Sequence, residues 1–424
     1  MRRLVTVVFL AVVLVIGAAA PVRSGDDAGA NRLLVEAVTL VEQAEAADAP
    51  GDRAELYRRA LGVLDKIIAD HPGSDLAVKL ATGQPIGTLE RAEVERQWRF
   101  STLDQCVVEW DRLCLLDLTL EITLGITKEP NRSSIRSMIA QGQAEVGAFT
   151  AANKTANSVE DLSFRVWALT SVAKPMAAAG ACIEAKELLD EAVALAASFD
   201  DSYERAWAYG VAGASQADAG DEAGAHHSIQ QALEAFTEVV DPLERVLALI
   251  SIAEAQAKAN NVSESRRLLR SASEIVPAID SRLGRVEVLT SIAWIEAQAG
   301  NRVDALRNLV EATREAHSVR PRYFRDKALS LVAHANGISG EYDAAFGLIE
   351  DITSPYWLAW ALSMVAAAQA KIGDHAAARQ TVDLALQAVK DLKNSTRIAY
   401  VLTNLTYAIN QGSSNLKTGP NCEY

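Results

Sequence analysis

Apolar side chains recur three and four positions apart through most of the chain, with polar side chains between them. In the segment from Asp241 to Asp280 this pattern predicts two amphipathic helices joined by a short turn. Asp241 is expected to be the N-cap of the first helix, Pro242 fits the first helical position, and Glu244 has the spacing of a capping box. The segment therefore predicts one antiparallel pair of helices.

The same pattern returns every 33 or 40 residues. Counted from one equivalent position, the anchor, a small residue follows after 8 residues, Gly or Asn after 15, and in most units Ala after 20 and 27. Gly or Asn allows the left-handed backbone that ends a helix. A period of this length indicates stacked helix pairs, here seven units and a capping helix over residues 132–411. The anchors are Arg132, Arg165, Arg205, Arg245, Arg285, Arg325, Leu358 and Ile398.

The arginine anchors are interpreted as structural. Asp161 precedes Arg165 by four residues, and the next two units repeat this pair. The spacing brings opposite charges together on one face of a helix. We therefore expect these arginines to form ion pairs within their own helices and not to bind a ligand.

One complete set of the recurring small residues is Ala293, Gly300, Ala305 and Ala312. A small residue within the first helix, Gly at the turn and two alanines on the second helix resemble the tetratricopeptide repeat (TPR) family. The resemblance implies an all-α, right-handed superhelical solenoid of antiparallel helix pairs. It also implies that the first helices line the inner face and that the protein binds proteins or peptides.

The chain departs from that family in three respects. Most units have 40 residues, whereas the TPR unit has about 34, so we expect longer helices or longer connections. Ser265 replaces an expected alanine, and Pro175 is expected to kink a first helix or remove one of its hydrogen bonds. A HEAT-like or other helix-pair solenoid is the alternative.

Residues 25–131 are expected to form an N-terminal helical region. The segments 31–47 and 52–70 predict a further helix pair, whereas residues 82–131 fit the register poorly. Trp98, Phe100 and Trp110 predict an irregular cap there, because the end units of repeat arrays are atypical. At the other end, residues 412–424 are expected to be a flexible tail.

The first 24 residues have the layout of a secretory signal peptide. Arg2 and Arg3 precede an apolar run from Leu4 to Ile16, and small residues follow. We expect removal between Ala19 and Ser24 and an exported protein, periplasmic in a Gram-negative bacterium. No later apolar run approaches the roughly 20 residues that a membrane helix needs.

Export would place the four cysteines of the chain in an oxidising compartment. Four cysteines can pair in three ways. Cys106 and Cys114 can form a disulfide only if the chain turns between them, because eight residues of straight helix span about 12 Å. The alternative is a pair of buried thiols.

Charge and motifs exclude several classes of function. With 41 basic and 55 acidic residues the net charge is −14, which disfavours nucleic acid as a partner. The six histidines are scattered, and the chain contains neither an HExxH metal motif, a GxSxG nucleophile motif nor a phosphate-binding glycine loop. The sequence therefore predicts a protein that is not an enzyme and holds no cofactor or metal.

The residues two and nine positions after the anchors predict a binding groove. These positions lie on one side of each first helix, and tryptophan is frequent at binding hot spots. The alternatives are that the tryptophans fill gaps between repeats, or that the protein is an envelope assembly component that self-associates. The candidate groove residues are Trp167, Lys174, Trp207, Glu254, Glu287, Trp294, Lys327, His334 and Trp360.

Overall fold

A computed structural model describes residues 26–409 and Cys422, and every regular element among them is a helix. The chain divides into two compact units, Met1–Trp110 and Asp111–Tyr424, here called unit 1 and unit 2. The expected signal peptide and the expected tail, apart from Cys422, lie outside the described residues. Within the described part, no helix is both long and apolar enough to cross a bilayer.

The described residues of unit 1 form four helices. Helices α1 (Asp26–Ala46) and α2 (Pro50–Asp70) pack as a pair at the position where the sequence predicts one, and each begins a few residues earlier than expected. Helix α3 (Asp75–Ala81) and helix α4 (Arg91–Val108) both contact α2. Trp98 lies on α4 and is buried.

Unit 2 confirms the all-α repeat of helix pairs, and the right-handed sense of the superhelix stays a prediction. The first helix of each pair begins just before its anchor, and the second runs back along it. The first helices are α6 (Asn131–Glu145), α8 (Leu162–Ala178), α10 (Ser202–Ala219), α12 (Pro242–Lys258), α14 (Arg282–Gln298), α16 (Arg322–Ile338), α18 (Pro355–Lys371) and α20 (Ser395–Ala408). The second helices are α5 (Arg112–Thr123), α7 (Phe149–Asn157), α9 (Cys182–Ser198), α11 (Glu222–Phe236), α13 (Val262–Ile275), α15 (Arg302–Ser318), α17 (Tyr342–Glu350) and α19 (His375–Lys390).

The turn between the two helices has the backbone that the sequence predicts. The residue 15 positions after the anchor has a positive φ in every full unit, from 61° at Asn260 to 92° at Gly220. Because L-residues with a side chain rarely adopt this conformation, glycine is the favoured residue and asparagine the usual substitute.

The two repeat lengths differ in the second helix. Helices α7 and α17, which belong to the 33-residue units, have nine residues each. The second helices of the 40-residue units have 14 to 17 residues. The additional residues amount to about two turns of helix, so the longer unit extends the helix and keeps the turn unchanged.

The last helix is not an isolated cap. Helix α20 packs against α18, and it also packs against α5 and α6 at the other end of unit 2. The Tyr400 hydroxyl donates a hydrogen bond to the side-chain oxygen of Asn131 over 3.5 Å, and the Arg112 guanidinium lies 5.4 Å from the centroid of the Tyr407 ring. Each first helix of unit 2 therefore has a first helix on both sides, and the pairs close into a ring.

This closure moves the boundary of the repeat region. The sequence placed it at residue 132, whereas unit 2 begins at Asp111. Helix α5 precedes the first recognisable repeat, but it packs on α20 as the second helix of the eighth pair. Its side chain Arg112 is buried and forms an ion pair with Glu145 on α6, and this long-range pairing leaves no trace in the repeat register.

The structure contains a disulfide that the sequence analysis did not discuss. Cys422 is the one described residue of the expected flexible tail; it is buried and forms a disulfide with Cys182 at the start of α9. The sequence did not single out this pair. The Cys106–Cys114 disulfide stays a prediction, and its condition is met locally, because α4 ends at Val108 and α5 begins at Arg112.

The arginine anchors are structural, but their partners differ from those expected. The aspartates four residues earlier are N-caps, and Asp161 accepts a hydrogen bond from the backbone N–H of Phe164. The arginines instead bind the connection between units or the second helix. Arg165 pairs with Glu191 over 2.6 Å, and Arg205, Arg245 and Arg285 donate to the carbonyl oxygens of Phe199, Val239 and Ile279.

Pro175 has the second of the two expected effects, the loss of a hydrogen bond. It lies in the last turn of α8, and the helix continues to Ala178. Its missing N–H removes one hydrogen bond there, while the helix still reaches the turn at Gly180.

A row of buried polar side chains joins the two helices of several pairs. The residue 11 positions after the anchor accepts a hydrogen bond from a side chain 12 residues later on the second helix. Ser228 donates to Gln216 over 2.7 Å, Asn308 to Glu296 over 2.9 Å, and Thr381 to Gln369 over 2.8 Å. These bonds satisfy polar groups that would be costly to bury alone.

Candidate binding surface

The candidate groove residues lie on one side of the first helices. Each first helix is flanked by two first helices and packs against a second helix, so one side of it is left uncovered by the described helices. Trp167 illustrates the pattern: it is half-buried, whereas its neighbours Val166 and Ala168 are fully buried. We call the uncovered side the first-helix face. Lys174 is exposed there, and Trp167, Trp207, Glu254, Glu287, Trp294, Lys327, His334 and Trp360 are half-buried.

Two predicted residues on neighbouring helices form an ion pair across this face. Glu287 on α14 and Lys327 on α16 occupy the same register position, and the Lys327 Nζ lies 2.6 Å from Glu287 Oε1. Both side chains are about one-third exposed, so the pair is partly hydrated. The contact shows that equivalent positions of neighbouring first helices reach one another.

Two further predicted residues form an aromatic contact. The rings of His334 on α16 and Trp360 on α18 meet edge to face, with centroids 5.7 Å apart. Burial lowers the pKa of His334 to about 4, so the imidazole is neutral near pH 7. His334 therefore serves this face as a neutral hydrogen-bonding and stacking group and not as a charge.

A cluster of charges occupies the same face on α8, α10 and α12. Asp218 Oδ2 lies 2.6 Å from the Nζ of Lys174 and 3.3 Å from the Nζ of Lys258. Burial raises the pKa of Glu254, and Lys258 opposes that shift. Sequence reasoning found Lys174 and Glu254 but missed Asp218 and Lys258, which stand 13 positions after their anchors and so continue the same side of the helix.

Four side chains of α16 and α18, Tyr323, Tyr356, Trp357 and Trp360, form an aromatic cluster beside Arg397 in the first turn of α20. Trp357 is central: its ring centroid lies 4.6 Å from Tyr356, 5.7 Å from Tyr323 and 6.2 Å from Trp360. The Arg397 guanidinium lies over the rings of Tyr323 and Tyr356. The sequence identified only Trp360 of these. The signal was present at one and two positions before the anchors Arg325 and Leu358, where both units carry two aromatic residues in succession.

The three remaining predicted tryptophans, Trp167, Trp207 and Trp294, lie on α8, α10 and α14. They are half-buried on the first-helix face. Part of each side chain is therefore accessible to a partner. The role of each in binding stays a prediction.

The described residues contain no group of three or more His, Cys, Asp or Glu side chains arranged to hold a metal ion. The charged groups of the first-helix face are paired with one another and spread over several helices. They offer contacts to a ligand, and no nucleophile stands beside a base among the contacts described above.

A cleft lies between the second helices α15 and α17. It has a volume of about 520 Å³ and is lined by Leu306, Val310, His317, Gly347 and Leu348, among others. It forms where α17 is about two turns shorter than α15. The 33-residue length of the unit anchored at Arg325, which contains α17, was the feature of the sequence that indicated this shorter helix.

The chain matches no family model and no curated protein. Among solved structures it is similar to a Rap protein complexed with Competence and Sporulation Factor, at 13% identity and a TM-score of 0.33, over 85% of this chain and 97% of that one. It is also similar to the yeast Tom70, at 13% identity and a TM-score of 0.30, over 91% and 96%. Ton1535 from Thermococcus onnurineus NA1 is similar at 15% identity and a TM-score of 0.24, over 87% and 99%. At these values the similarities carry no argument about function.

Proposed function

We propose that the protein is a non-enzymatic scaffold that binds a protein or an extended peptide on the first-helix face of unit 2. One observation supports this proposal most directly. On the side of the first helices that no second helix covers, side chains that stand the same number of residues after their anchors contact one another across neighbouring helices. The Glu287–Lys327 pair and the Asp218–Lys258 pair are the direct examples. A surface built this way is continuous along several helices.

The chemistry of the face favours a polypeptide as its ligand. Charges of both signs and aromatic rings alternate over α8 to α18, and partly exposed tryptophans are frequent at the centres of protein interfaces. A small molecule would require polar groups that converge on one point. The contacts described here are instead distributed, which suits an extended chain.

We also propose that the protein acts in the cell envelope after export, in the periplasm. The apolar N-terminal segment supports this, because it has the layout of a signal peptide. The Cys182–Cys422 disulfide supports it as well, since disulfides persist in oxidising compartments. The test is cell fractionation followed by mass spectrometry of the mature N-terminus. Recovery of intact Met1 from the cytoplasm would contradict the proposal.

Self-association is the second candidate, and exposed apolar side chains on the second helices favour it. Ile183 on α9 and both Val303 and Val310 on α15 are more than 70% exposed. Analytical ultracentrifugation of the wild type and of the Val303→Asp/Val310→Asp double variant tests this candidate. A concentration-dependent dimer that disappears in the variant would support it, and a monomer at all concentrations would exclude it.

Site-directed photo-crosslinking in native envelopes tests the leading proposal. A photoreactive residue is placed at Lys174 or Lys327 on the first-helix face, and at the 72% exposed Arg307 on α15 as the matched control. We expect a discrete crosslinked protein from the first two sites and none from the third. The band should weaken when Trp207→Ala or Trp360→Ala is added. Equal labelling from all three sites, or labelling from the control alone, would overturn the proposal.

A further inference from the structure

We propose that the aromatic cluster and Arg397 form a recognition site for an acidic side chain that adjoins a large apolar side chain in a bound peptide. The site occupies the first turns of α16, α18 and α20, at one edge of the first-helix face. The inference rests on the proposed function and states which peptide chemistry this part of the surface recognises.

Arg397 supplies the charge. Its guanidinium lies 5.4 Å from the centroid of Tyr323 and 5.3 Å from that of Tyr356, so two rings hold it in place. The side chain is exposed, its Nη2 donates to the Tyr323 hydroxyl over 3.5 Å, and no ion pair joins it to a carboxylate of the described residues. A cation fixed by its neighbours and lacking a counter-charge is prepared for a bidentate carboxylate.

The positive charge at this register position distinguishes α20 from α10 and α12. Arg397 stands one residue before its anchor, and the equivalent positions on α10 and α12 carry Glu204 and Glu244. Burial raises the pKa of both of those glutamates, and neighbouring aspartates add to the effect. The same register position therefore repels an acidic peptide on α10 and α12 and attracts it on α20.

Trp357 supplies an unused hydrogen-bond donor. The residue is 8% exposed and lies among three other aromatic rings, and its Nε1 is buried with no acceptor among the described residues. A buried donor without a partner destabilises the protein, because it has lost its hydrogen bond to water. A carbonyl or carboxylate oxygen of a bound peptide is the kind of group that would satisfy it.

Tyr323 and Phe324 supply the apolar part of the site. They are 40% and 44% exposed, and their rings meet with centroids 5.7 Å apart. Two large, partly exposed rings beside a fixed cation form an amphipathic surface. Its complement is a peptide in which Asp or Glu adjoins Phe, Leu or a similar side chain.

Titration of the mature protein with short peptides tests this, with tryptophan fluorescence and calorimetry as readouts. The probe is acetyl-Glu-Phe-Asp-Phe-amide, and the matched neutral probe is acetyl-Gln-Phe-Asn-Phe-amide. We expect the acidic peptide to bind the wild type at least about tenfold more tightly than the neutral one, the discrimination expected of a charge-assisted contact. Equal affinity of the two peptides, or no binding of the acidic one, would overturn the inference without any variant being needed.

Variants locate the contact. Arg397→Gln should remove the preference for the acidic peptide and leave the affinity for the neutral peptide unchanged. Arg397→Lys should restore part of the preference, and Arg307→Gln on α15 should behave as the wild type. If Arg397→Gln keeps the full preference while photo-crosslinking still marks the first-helix face, the acidic site is wrong and the scaffold function stands. If the crosslinks at Lys174 and Lys327 are also absent, the scaffold function itself fails.

Discussion

At the scale of single residues, each side chain can be compared with the residues at the same position of the other repeats. Six units carry alanine 20 positions after the anchor, near the start of the second helix, whereas the unit anchored at Arg245 carries Ser265. Ser265 is fully buried, and its hydroxyl has no hydrogen-bond partner among the described residues. The sequence showed this departure, but only the structure showed that nothing compensates for it.

Ser265→Ala is therefore expected to stabilise unit 2 by about 1 kcal/mol, because it removes a buried, unsatisfied hydroxyl. The matched control is Ser228→Ala, which removes the donor to Gln216 and leaves a buried amide oxygen unpaired. That change should destabilise by a similar amount. Urea unfolding followed by circular dichroism measures both, and equal signs for the two variants would contradict the interpretation.

Glu296 makes stability depend on pH. Burial raises its pKa to about 7, and the hydrogen bond from Asn308 opposes part of that shift. Because the folded state holds this proton more tightly than the unfolded state, the carboxyl lowers stability as pH rises from about 4.5 to about 7, and the effect is constant above that. Four other units carry glutamine at this position, namely Gln143, Gln216, Gln256 and Gln369.

Glu296→Gln is therefore expected to stabilise the protein by about 3 kcal/mol at pH 8 and by much less at pH 5. The reverse change, Gln369→Glu, should destabilise more at pH 8 than at pH 5, because the ionised carboxylate loses its hydration on burial and the hydrogen bond from Thr381 offsets only part of that cost. Free energies of unfolding at both pH values test the pair. A gain from Glu296→Gln that is the same at pH 5 and pH 8 would show that the carboxyl titrates normally in the folded state.

At the scale of elements, the sequence predicted the helices and turns well because their signals are local. Asp161, Asp201 and Asp241 begin first helices as N-caps, and Gly or Asn ends them. The partners of the arginine anchors were not predicted. Those partners lie on the connection between repeats or on the second helix, as Glu191 does, and are distant from the arginine in sequence. The aspartate four residues before each arginine was the nearer opposite charge in sequence, and so it was expected to be the partner.

The turn glycines are expected to be required for their backbone and not for space. Gly300 has φ +75° and nothing within 4 Å of an added Cβ, whereas Gly347 lies within α17 with the same open surroundings and no positive φ. Gly300→Ala should destabilise by about 1 kcal/mol, and Gly347→Ala should stabilise slightly. Thermal unfolding of the two variants separates these causes. Destabilisation by both would mean that close packing and not φ is the constraint.

The candidate site was predicted in part for the same reason. Counting from the anchors found Glu287, Lys327, His334 and Trp360, because a seven-residue spacing follows one side of a helix. Arg397 and Trp357 were missed, since they precede the anchors and their significance depends on contacts between helices that are distant in sequence. Tyr323 and Arg397, for example, are 74 residues apart.

At the scale of the whole of unit 2, closure was not predictable from the repeat. The contacts of α20 with α5 and α6 join segments more than 250 residues apart, as the 269-residue separation of Asn131 and Tyr400 shows. Repeat arrays are recognised from contacts between neighbours in sequence, and closure adds a pairing outside that rule. It leaves no unpaired end among the helices of unit 2, so end-to-end stacking has no apolar end surface to use there.

Closure is the central claim, because it determines which surfaces a partner can reach. A photoreactive residue at position 400 on α20, with the crosslinked peptides identified by mass spectrometry, tests it directly. We predict crosslinks within one chain to peptides from α5 or α6, residues 112–145, at every protein concentration. Crosslinks confined to α18 and α19, or found only between different chains, would contradict the closed ring.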